Sequence, residues 1–345
     1  MEHTRILVTG AAGFIGSRVF QELSSRGYEV TGIDNINDYY DVRMKYGRLS
    51  ESGVGMDAES YGKEVLSTIF PAARFIRMSI DDRAAMERLF ETGRFDMVIN
   101  LAAQAGVRYS ITNPYAYLQS NLTGFLNILE CCRNFAVKHL VYASSSSVYG
   151  LNESVPYNEK DQVDRPVSLY AATKKSNELM AHAYSKLYGI PVTGLRFFTV
   201  YGPWGRPDMS PMLFADAICH DRQIKIFNNG DMIRDFTYID DIVEGTVMAM
   251  EHIPDANDDG VRYRIYNIGC SHPVRLMDFI GELETALGKK ARKIFLPMQP
   301  GDVYRTFADT SRLETEIGYR PHVTLHEGIS RFIGWYRSDL NPLSI

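Results

Sequence analysis

The chain has 345 residues, of which 45% are hydrophobic, and carries a net charge of −5 with acidic and basic side chains mixed along it. This length predicts one large domain or two fused ones. The charge pattern argues against a nucleic-acid or anionic-membrane partner, and no apolar run approaches the roughly 20 residues that span a bilayer.

The four cysteines and eight histidines are scattered along the chain. They have neither the spacing of a disulfide framework nor that of a metal site, so we expect no metal ion. The first residues show no signal-peptide pattern. Together these features favour a cytoplasmic protein.

The first elements predict a βαβ unit. Residues 5–8 and 28–34 form strands, and a helix between them runs to about Arg26. Residues 9–16 make the first turn and are mostly small. A turn of this kind at the start of a helix is typical of a dinucleotide-binding fold.

Three glycines and one acid in this unit predict the cofactor. Gly10, Gly13 and Gly16 leave room for backbone N–H groups to approach a pyrophosphate at the helix N-terminus. Asp34 ends the second strand, where a carboxylate can accept the two hydroxyls of an adenosine ribose. No arginine follows at once to bind a 2′-phosphate, so the sequence favours NAD over NADP.

Residues 35–73 are long for a connection between elements. We predict a helical start at 38–41 and a short helix at 63–70. Regular alternation then follows: a strand at 74–80, a helix at 82–92, a strand at 97–100, a long helix at about 114–136 and a strand at 139–143.

Two segments leave the carboxyl ends of these strands, 101–108 and 144–147, and the second consists of four serines. Ligands of an open parallel sheet bind at this edge. A polar loop could also contain four serines, but in this topology we expect the hydroxyls to face the ligand crevice.

Tyr170 and Lys174 lie four residues apart and share one face of a helix that runs to about Tyr188. A nearby ammonium favours phenolate and lowers the tyrosine pKa toward the working pH. Such a tyrosine can take a proton from a sugar hydroxyl. The same spacing is common on solvated helix faces, and the glycine turn, Asp34 and the serines favour the catalytic interpretation.

Beyond the sixth strand at 192–197 the pattern changes to a turn-rich loop and shorter elements. We predict a helix at 211–221 and a strand at 224–227, then a strand that begins at 234 and leads into a helix ending at about 252. A strand at 263–268, a helix at 275–287 and two helices within 309–340 follow.

The fold class is therefore α/β, with a doubly wound parallel Rossmann sheet and a smaller, interleaved C-terminal α/β substrate domain. The predicted NAD-binding domain covers 1–200 with returning segments at about 234–270. The substrate domain covers 201–233 and 271–345.

Several segments together carry a family resemblance: Thr9-Gly10-x-x-Gly13-x-x-Gly16, Asp34, Asn121-x-x-Gly124, the serines at 144–147, Tyr170-x-x-x-Lys174 and Arg234-Asp235-Phe236. This combination resembles the extended short-chain dehydrogenase/reductase family of NAD-dependent epimerases and dehydratases, over almost the whole chain. Within it, segments 34–41, 101–109, 195–209 and 300–303 are most similar to UDP-glucuronate 4-epimerases.

The resemblance implies reversible C4 epimerisation of UDP-glucuronate to UDP-galacturonate through a transient 4-keto sugar, with tightly bound NAD. Tyr170 would take the C4 hydroxyl proton. Lys174 would lower the tyrosine pKa and bind the nicotinamide ribose. Ser145 would hydrogen-bond the C4 oxygen and relay the proton, a role that Ser144 or Ser146 could hold if the strand end is displaced by a residue.

The resemblance also assigns cofactor contacts, to Gly10, Gly13, Phe14, Ile15, Gly16, Asp34, Asn35, Ser79, Ile80, Leu101, Ala102, Ala103, Gln104, Asn121, Tyr170, Lys174 and Phe197. One position departs from the usual pattern, because Ser79-Ile80 stands where an aspartate normally meets the adenine. This departure puts the adenine contact in doubt, and Asp81 or Asp82 could substitute.

The expected substrate contacts rest partly on the resemblance and partly on a chemical demand. A 4-keto uronate is a β-keto acid that tends to lose carbon dioxide, so its carboxylate must be held by donors. The expected substrate residues are Ser145, Ser146, Ser147, Thr199, Arg206, Arg234 and Asp302. Arg206 could clamp the carboxylate or serve a phosphate. Arg234 and Asp302 match positions that bind the nucleotide in the family. The resemblance therefore implies that Arg234 binds the diphosphate, unless it forms a salt bridge with Asp235 or Asp241, and that Asp302 binds the uridine-side ribose.

Other functions remain open from the sequence. A decarboxylating uronate enzyme would make the same keto acid, and a C4 epimerase of another UDP-sugar needs the same catalytic group. A 4,6-dehydratase is disfavoured because no Asp-Glu pair follows the fifth strand. A non-catalytic dinucleotide sensor would not need both Tyr170 and Lys174. The family also implies a homodimer formed through the long helices at about 114–136 and 170–188.

Overall fold

The computed structural model describes residues 4–299 and 303–344. Its strands are β1 (Arg5–Thr9), β2 (Glu29–Asp34), β3 (Glu64–Leu66), β4 (Ala73–Arg77), β5 (Met97–Asn100), β6 (His139–Ser145), β7 (Val192–Phe197), β8 (Thr199–Tyr201), β9 (Gln223–Ile226), β10 (Ile233–Tyr238), β11 (Tyr263–Ile268), β12 (Pro273–Arg275) and β13 (Arg292–Phe295).

The helices connect these strands and cover the central sheet. They are α1 (Phe14–Ser25), α2 (Arg43–Glu51), α3 (Arg83–Gly93), α4 (Tyr109–Thr112), α5 (Pro114–Tyr117), α6 (Phe125–Asn134), α7 (Leu169–Tyr188), α8 (Ser210–Cys219), α9 (Ile239–Glu251), α10 (Leu276–Leu287), α11 (Ser311–Ile317) and α12 (Leu325–Tyr336).

The central sheet has eight strands in the order β11-β7-β6-β5-β1-β2-β4-β3. All neighbours are parallel except β3 and β4. Its strands are short apolar runs such as Ile6-Leu7-Val8, which is fully buried because helices cover both faces. The predicted parallel, doubly wound sheet is confirmed.

The order of the sheet reverses between β1 and β5. The chain goes from β1 outward to β2 and β4 on one side, and from β5 outward to β6 and β7 on the other. The loops that follow β1 and β5 therefore diverge, and a crevice opens between them at the carboxyl edge. This edge carries the candidate site described below.

Two smaller sheets lie beyond the central one. One pairs β12, β10 and β8, and the other pairs β13 with β9. Apolar packing is continuous between the parts: Phe20 of α1 and Phe279 of α10 belong to one core cluster, and the Phe279 ring stacks on Phe236 at 4.0 Å. Full burial of such a side chain contributes roughly 1.5–3 kcal/mol.

Three predicted elements differ in the structure. The helix expected at 63–70 is wrong, because 64–66 form the antiparallel edge strand β3 paired with β4. The third predicted strand ends at Arg77 rather than at 80. The long helix at 114–136 is interrupted by a π-helical segment, Leu118–Gly124. Within residues 4–299 and 303–344, no helix combines the length and apolar character needed to cross a bilayer.

Candidate active site

A cavity of about 1070 Å³ opens at the carboxyl edge of the central sheet. The glycine turn, the loop after β5 and the serines after β6 line one side. Residues of β8, of the loop before α8 and of β10 line the other. The predicted site residues within the described part of the chain all line this cavity, with the exception of Asn121.

The glycine turn forms a tight cradle at the start of α1. Gly10 has a φ of +71°, and a side chain there would meet backbone atoms of Leu101 and Ala102 at 2.9 and 2.8 Å. A side chain at Gly16 would collide with the Gly10 carbonyl. Gly13 precedes α1 and makes no side-chain cap. The first N–H groups of the helix therefore face the cavity with little steric cover, which suits a pyrophosphate.

Asp34 ends β2 and is fixed by backbone donors. Its two carboxylate oxygens accept hydrogen bonds from the N–H groups of Ala12, at 3.2 Å, and Ile36, at 2.8 Å. Asn35 lies beside it on the cavity wall. This geometry fits the predicted role of Asp34 at a ribose.

Ser79 and Ile80 line the cavity at the predicted adenine end. The Ser79 hydroxyl donates to Asp81, whose other oxygen accepts from Gln119 at 2.7 Å. Asp82 caps α3 by accepting from the Ala85 N–H at 3.1 Å. Neither acid lines the cavity. The substitution of Asp81 or Asp82 for the usual aspartate is thus disfavoured.

Asn121 lies behind the loop after β5 instead of in the cavity. Its amide accepts from the Gln104 N–H at 2.8 Å and donates to the Gln104 carbonyl at 3.0 Å and the Thr173 hydroxyl at 3.1 Å. The π-helical turn places this side chain inward, and it is almost fully buried. Asn121 thus does not line the cavity and joins the loop at 101–104 to α7, which disfavours a direct cofactor contact.

The four serines divide into two environments. Ser144 is buried, and its hydroxyl donates to Glu178 at 2.7 Å, next to the ion pair between Glu178 and Arg196. The Ser145 hydroxyl accepts from the N–H and the hydroxyl of Ser147, at 3.2 and 2.9 Å. All four serines border the cavity, but the buried Ser144 gives its hydroxyl proton to Glu178, whereas Ser145 to Ser147 are half-buried.

Tyr170 and Lys174 face the cavity from the first turns of α7, which Ser168 caps. Lys174 Nζ lies 6.0 Å from the centre of the Tyr170 ring and donates to the Ala143 carbonyl at 2.8 Å. Burial lowers the pKa of Lys174 to about 8.

The tyrosine itself is shifted in the direction opposite to the prediction. Burial raises the pKa of Tyr170 above its ordinary value, and the Ser145 hydroxyl and the Arg206 guanidinium oppose that rise without overcoming it. At this distance, with its ammonium turned to a carbonyl, Lys174 does not lower the Tyr170 pKa below normal. The groups that favour phenolate here are Ser145 and Arg206.

Arg206 is held by an acid that the sequence analysis did not assign. Its Nε and Nη2 donate to both oxygens of Asp208, at 3.0 and 2.5 Å, and the Tyr39 hydroxyl donates to the same carboxylate at 3.0 Å. Burial opposes both charges, yet their attraction raises the pKa of Arg206 and lowers that of Asp208. Thr199 starts β8 on the same wall.

Arg234 lines the cavity at the predicted nucleotide end. Its guanidinium donates to the carbonyls of Val303 and Tyr304, at 2.7 and 3.1 Å. Asp235 and Asp241 accept instead from backbone N–H groups, of Cys270 at 2.8 Å and of His322 at 3.1 Å. These contacts argue against the alternative of a salt bridge between Arg234 and either acid. Asp302 lies outside the described residues.

Among the cavity residues that the sequence did not lead us to assign are Tyr39, Lys45 and Asp208. Asp208 stands two positions after Arg206, so an i,i+2 ion pair in the loop was a readable signal. Lys45 gave none, because its approach to Asp34 depends on how α2 folds back onto the sheet.

Comparisons with known proteins agree with this geometry. Residues 6–269 match the model of the NAD dependent epimerase/dehydratase family. An uncharacterized 37.6 kDa protein of Escherichia coli O111:H- is 51% identical over 96% of this chain and 98% of its own. A probable UDP-glucuronate 4-epimerase of Rhizobium meliloti is 45% identical, covering 96% of each chain.

A crystal structure with a similar backbone also exists. It is a UDP-glucuronic acid 4-epimerase from Bacillus cereus in complex with UDP-glucuronic acid and NAD. The TM-score is 0.85 at 34% identity, covering 96% of this chain and 98% of that one.

Proposed function

The chain belongs to the NAD dependent epimerase/dehydratase family, and on that premise we propose that it is an NAD-dependent UDP-glucuronate 4-epimerase. It interconverts UDP-glucuronate and UDP-galacturonate. One observation carries the proposal. Ser145, Tyr170 and Lys174 share one cavity with the glycine cradle and with side chains that can donate hydrogen bonds to a substrate carboxylate. The names of similar proteins point to the same reaction.

The reaction needs a base at the C4 hydroxyl, and Tyr170 is the proposed base. NAD, when bound, accepts the C4 hydride and returns it. Ser145 lines the same cavity as Tyr170. Its hydroxyl can hydrogen-bond the C4 oxygen of the sugar as that oxygen changes between hydroxyl and ketone. Lys174, anchored on Ala143, is the proposed donor to the nicotinamide ribose.

Inversion requires that the hydride return to the opposite face of the sugar. The 4-keto ring must therefore turn within the cavity while its nucleotide stays bound. We propose Arg234 as the diphosphate ligand that keeps it bound, and Asp302 as a ligand of the uridine-side ribose. The half-buried serines on the near wall are small enough to leave room for such rotation.

The uronate carboxylate sets a further demand, because a 4-keto uronate loses carbon dioxide readily. Ser146, Ser147 and Thr199 are the proposed hydrogen-bond donors to it, with Arg206 supplying positive charge from the far wall. Several donors fix a carboxylate more firmly than one, which hinders the alignment that decarboxylation needs.

The NAD-binding part is proposed to be 1–200 with about 234–270, and the substrate part 201–233 with 271–345.

The direct test is incubation of the purified protein with UDP-glucuronate and no added cofactor, followed by sugar-nucleotide chromatography. We expect UDP-galacturonate, with NAD identified in the protein by mass spectrometry. A UDP-pentose as the main product would make it a decarboxylating enzyme instead. Tyr170→Phe should retain NAD and lose turnover by a factor of about 10²–10⁴; full turnover in this variant would exclude Tyr170 as the base.

A homodimer is also proposed, and five exposed apolar side chains support it. They are Tyr115, Leu118, Leu126, Leu179 and Leu187, 40–78% exposed. All lie on the helical segments 114–134 and 169–188, which pack side by side. Light scattering of the native protein, compared with Leu179→Arg, tests this; a native monomer would contradict it. We place the protein in the cytoplasm, consistent with its scattered cysteines.

A further inference from the structure

Lys45 is a buried lysine in the cavity wall that the proposed reaction does not use. Its side chain is only 6% exposed. Its Nζ donates to Asn37 Oδ1 at 2.9 Å and lies 3.6 Å from Asp34 Oδ1. Taking an ammonium out of water is costly unless its charge and its donors are used. The burial of Lys45 therefore suggests that its ammonium binds a ligand in the cavity.

The helix that carries Lys45 is fixed to the glycine turn. Arg48, three residues further along α2, is 2% exposed and donates to the Ala12 carbonyl at 3.0 Å and to the Trp204 carbonyl at 2.8 Å. Its guanidinium also donates to the Tyr40 hydroxyl at 2.6 Å. Lys45 is thus held at a set position relative to the turn that begins the dinucleotide site.

Asp34 and Lys45 face the same region of the cavity. The Asp34 oxygen nearest Lys45 already accepts from the Ile36 N–H, and a lysine has three donors, of which Asn37 receives one. The 5.3 Å distance from Nζ to the Tyr40 ring centre gives the ammonium a further favourable contact. A ribose hydroxyl that hydrogen-bonds to Asp34 would come within reach of the same ammonium.

Resting on NAD as the cofactor of the proposed reaction, we propose that Lys45 is a second ligand of the adenosine ribose, and that the Asp34–Lys45 pair sets the preference for NAD over NADP. The Asp34 carboxylate repels a 2′-phosphate, while Lys45 would attract it. The carboxylate dominates because it is fixed by two backbone N–H groups and can accept from both ribose hydroxyls. Lys45 is then a latent phosphate ligand, which the charge of Asp34 masks.

The test uses the holoprotein and its bound dinucleotide, independent of turnover. Each variant is dialysed against equal concentrations of NAD⁺ and NADP⁺, and the nucleotide it retains is quantified by mass spectrometry. The native protein should retain NAD. Asp34→Asn keeps the side-chain shape but removes the charge, and its NADP-to-NAD ratio should rise by about tenfold or more, the effect of one charge-assisted hydrogen bond. The double variant Asp34→Asn with Lys45→Met should lose this gain.

Single variants keep the inference testable if Asp34→Asn does not fold. Lys45→Met should weaken NAD⁺ retention by about three- to tenfold. Lys45→Arg, which keeps the positive charge, should retain nearly as much NAD⁺ as the native protein. The matched control is Lys63→Met, because Lys63 pairs with Asp57 on the surface and does not line the cavity. It should behave as the native protein does.

The inference is overturned if Asp34→Asn gains no NADP, if the double variant keeps the gain, or if Lys45→Met matches Lys63→Met. Its failure is separable from that of the proposed function. Native protein that epimerises UDP-glucuronate while Lys45→Met retains NAD normally would contradict only the role of Lys45. The predicted shift in retained nucleotide without any epimerisation would contradict only the reaction.

Discussion

The Ser144 hydroxyl donates a 2.7 Å hydrogen bond to the buried carboxylate of Glu178. Glu178 in turn holds Arg196 through two contacts of 2.8 and 2.9 Å. Burial would raise the pKa of Glu178, but Arg196 and Ser144 hold it below its ordinary value. Both serines border the cavity, but the hydroxyl of Ser144 donates to Glu178 whereas that of Ser145 accepts from Ser147.

This difference predicts opposite phenotypes for the two alanine variants. Ser145→Ala should lower kcat by about 10²-fold, because a group that hydrogen-bonds the reacting oxygen is lost, and should leave the unfolding temperature nearly unchanged. Ser144→Ala should cost about 1–3 kcal/mol of unfolding free energy, because a buried carboxylate loses a donor, with a much smaller loss of kcat. Epimerisation rates and denaturant unfolding of both variants check this. Equal kcat losses would contradict the assignment of Ser145.

His139 provides a pH-dependent prediction remote from the cavity. Its ring is fully buried, with Nδ1 at 2.9 Å from the Met250 carbonyl and Nε2 at 2.9 Å from the Thr193 hydroxyl. Burial lowers the pKa of His139 to about 4, so the folded chain holds it neutral. Between about pH 6.5 and 4 the unfolded chain binds the proton and the folded chain does not, and stability is lost as pH falls through this window.

Below pH 4 this effect lowers the unfolding free energy by about 3 kcal/mol, and above pH 6.5 the unfolding free energy is unaffected. His139→Gln cannot titrate, so the difference in unfolding free energy between native protein and variant should shrink as pH falls from 7 to 4.5. Urea unfolding at a series of pH values measures it. His326→Gln, which removes an exposed ring, is the matched control and should follow the native curve. A constant native-to-variant difference would refute the prediction.

The alternation of strands and helices was predictable because each buried strand is a short apolar run bounded by turn residues. β11 is found at the predicted bounds, 263–268, and β5 at 97–100. Segment 63–70 was misread because its structure depends on a remote partner. Val65 lies opposite Phe75 in the antiparallel pair, and no local pattern specifies that pairing.

Site residues were predictable where one local motif places them, as with the glycine turn and the Tyr170–Lys174 pair. The direction of a side chain could not be predicted where tertiary structure sets it. Asn121 sits in a motif of the family, yet a π-helical turn directs it behind the loop. The rise in the Tyr170 pKa follows from burial, which a spacing of four residues cannot convey.

The position of Asn121 predicts an effect on both cofactor and catalysis. Asn121→Ala leaves the Gln104 N–H and carbonyl without their buried partner, at a cost of about 2 kcal/mol or more. Because the loop at 101–104 and α7 are joined by this amide, NAD retention and kcat should both fall at temperatures well below unfolding. Asn341→Ala is the control, since Asn341 is equally buried in the C-terminal segment and donates to the Tyr336 carbonyl at 2.9 Å. It should lose stability alone. Unchanged NAD retention in Asn121→Ala would contradict the role.

The ion pair between Asp208 and Arg206 leads to a prediction about binding of the uronate carboxylate. In the present geometry Arg206 gives two of its donors to Asp208, so an incoming carboxylate meets a guanidinium whose charge is largely balanced. Asp208→Asn keeps the shape of the side chain and removes the competing charge. The KM for UDP-glucuronate should fall by about tenfold, the effect of one charge-assisted hydrogen bond. Inhibition by UDP-glucose, which has no carboxylate, should change little.

The control for this variant is Tyr39→Phe, which removes the phenol that donates to Asp208 but leaves the carboxylate on Arg206. Burial and the Asp208 charge raise the pKa of Tyr39 to about 12, so at neutral pH it is a donor and carries no charge. We therefore expect its KM for UDP-glucuronate to stay near the native value. Steady-state kinetics with both UDP-sugars separates the outcomes. If Asp208→Asn raises the KM for UDP-glucuronate, Asp208 orients Arg206 for the substrate instead of competing with it.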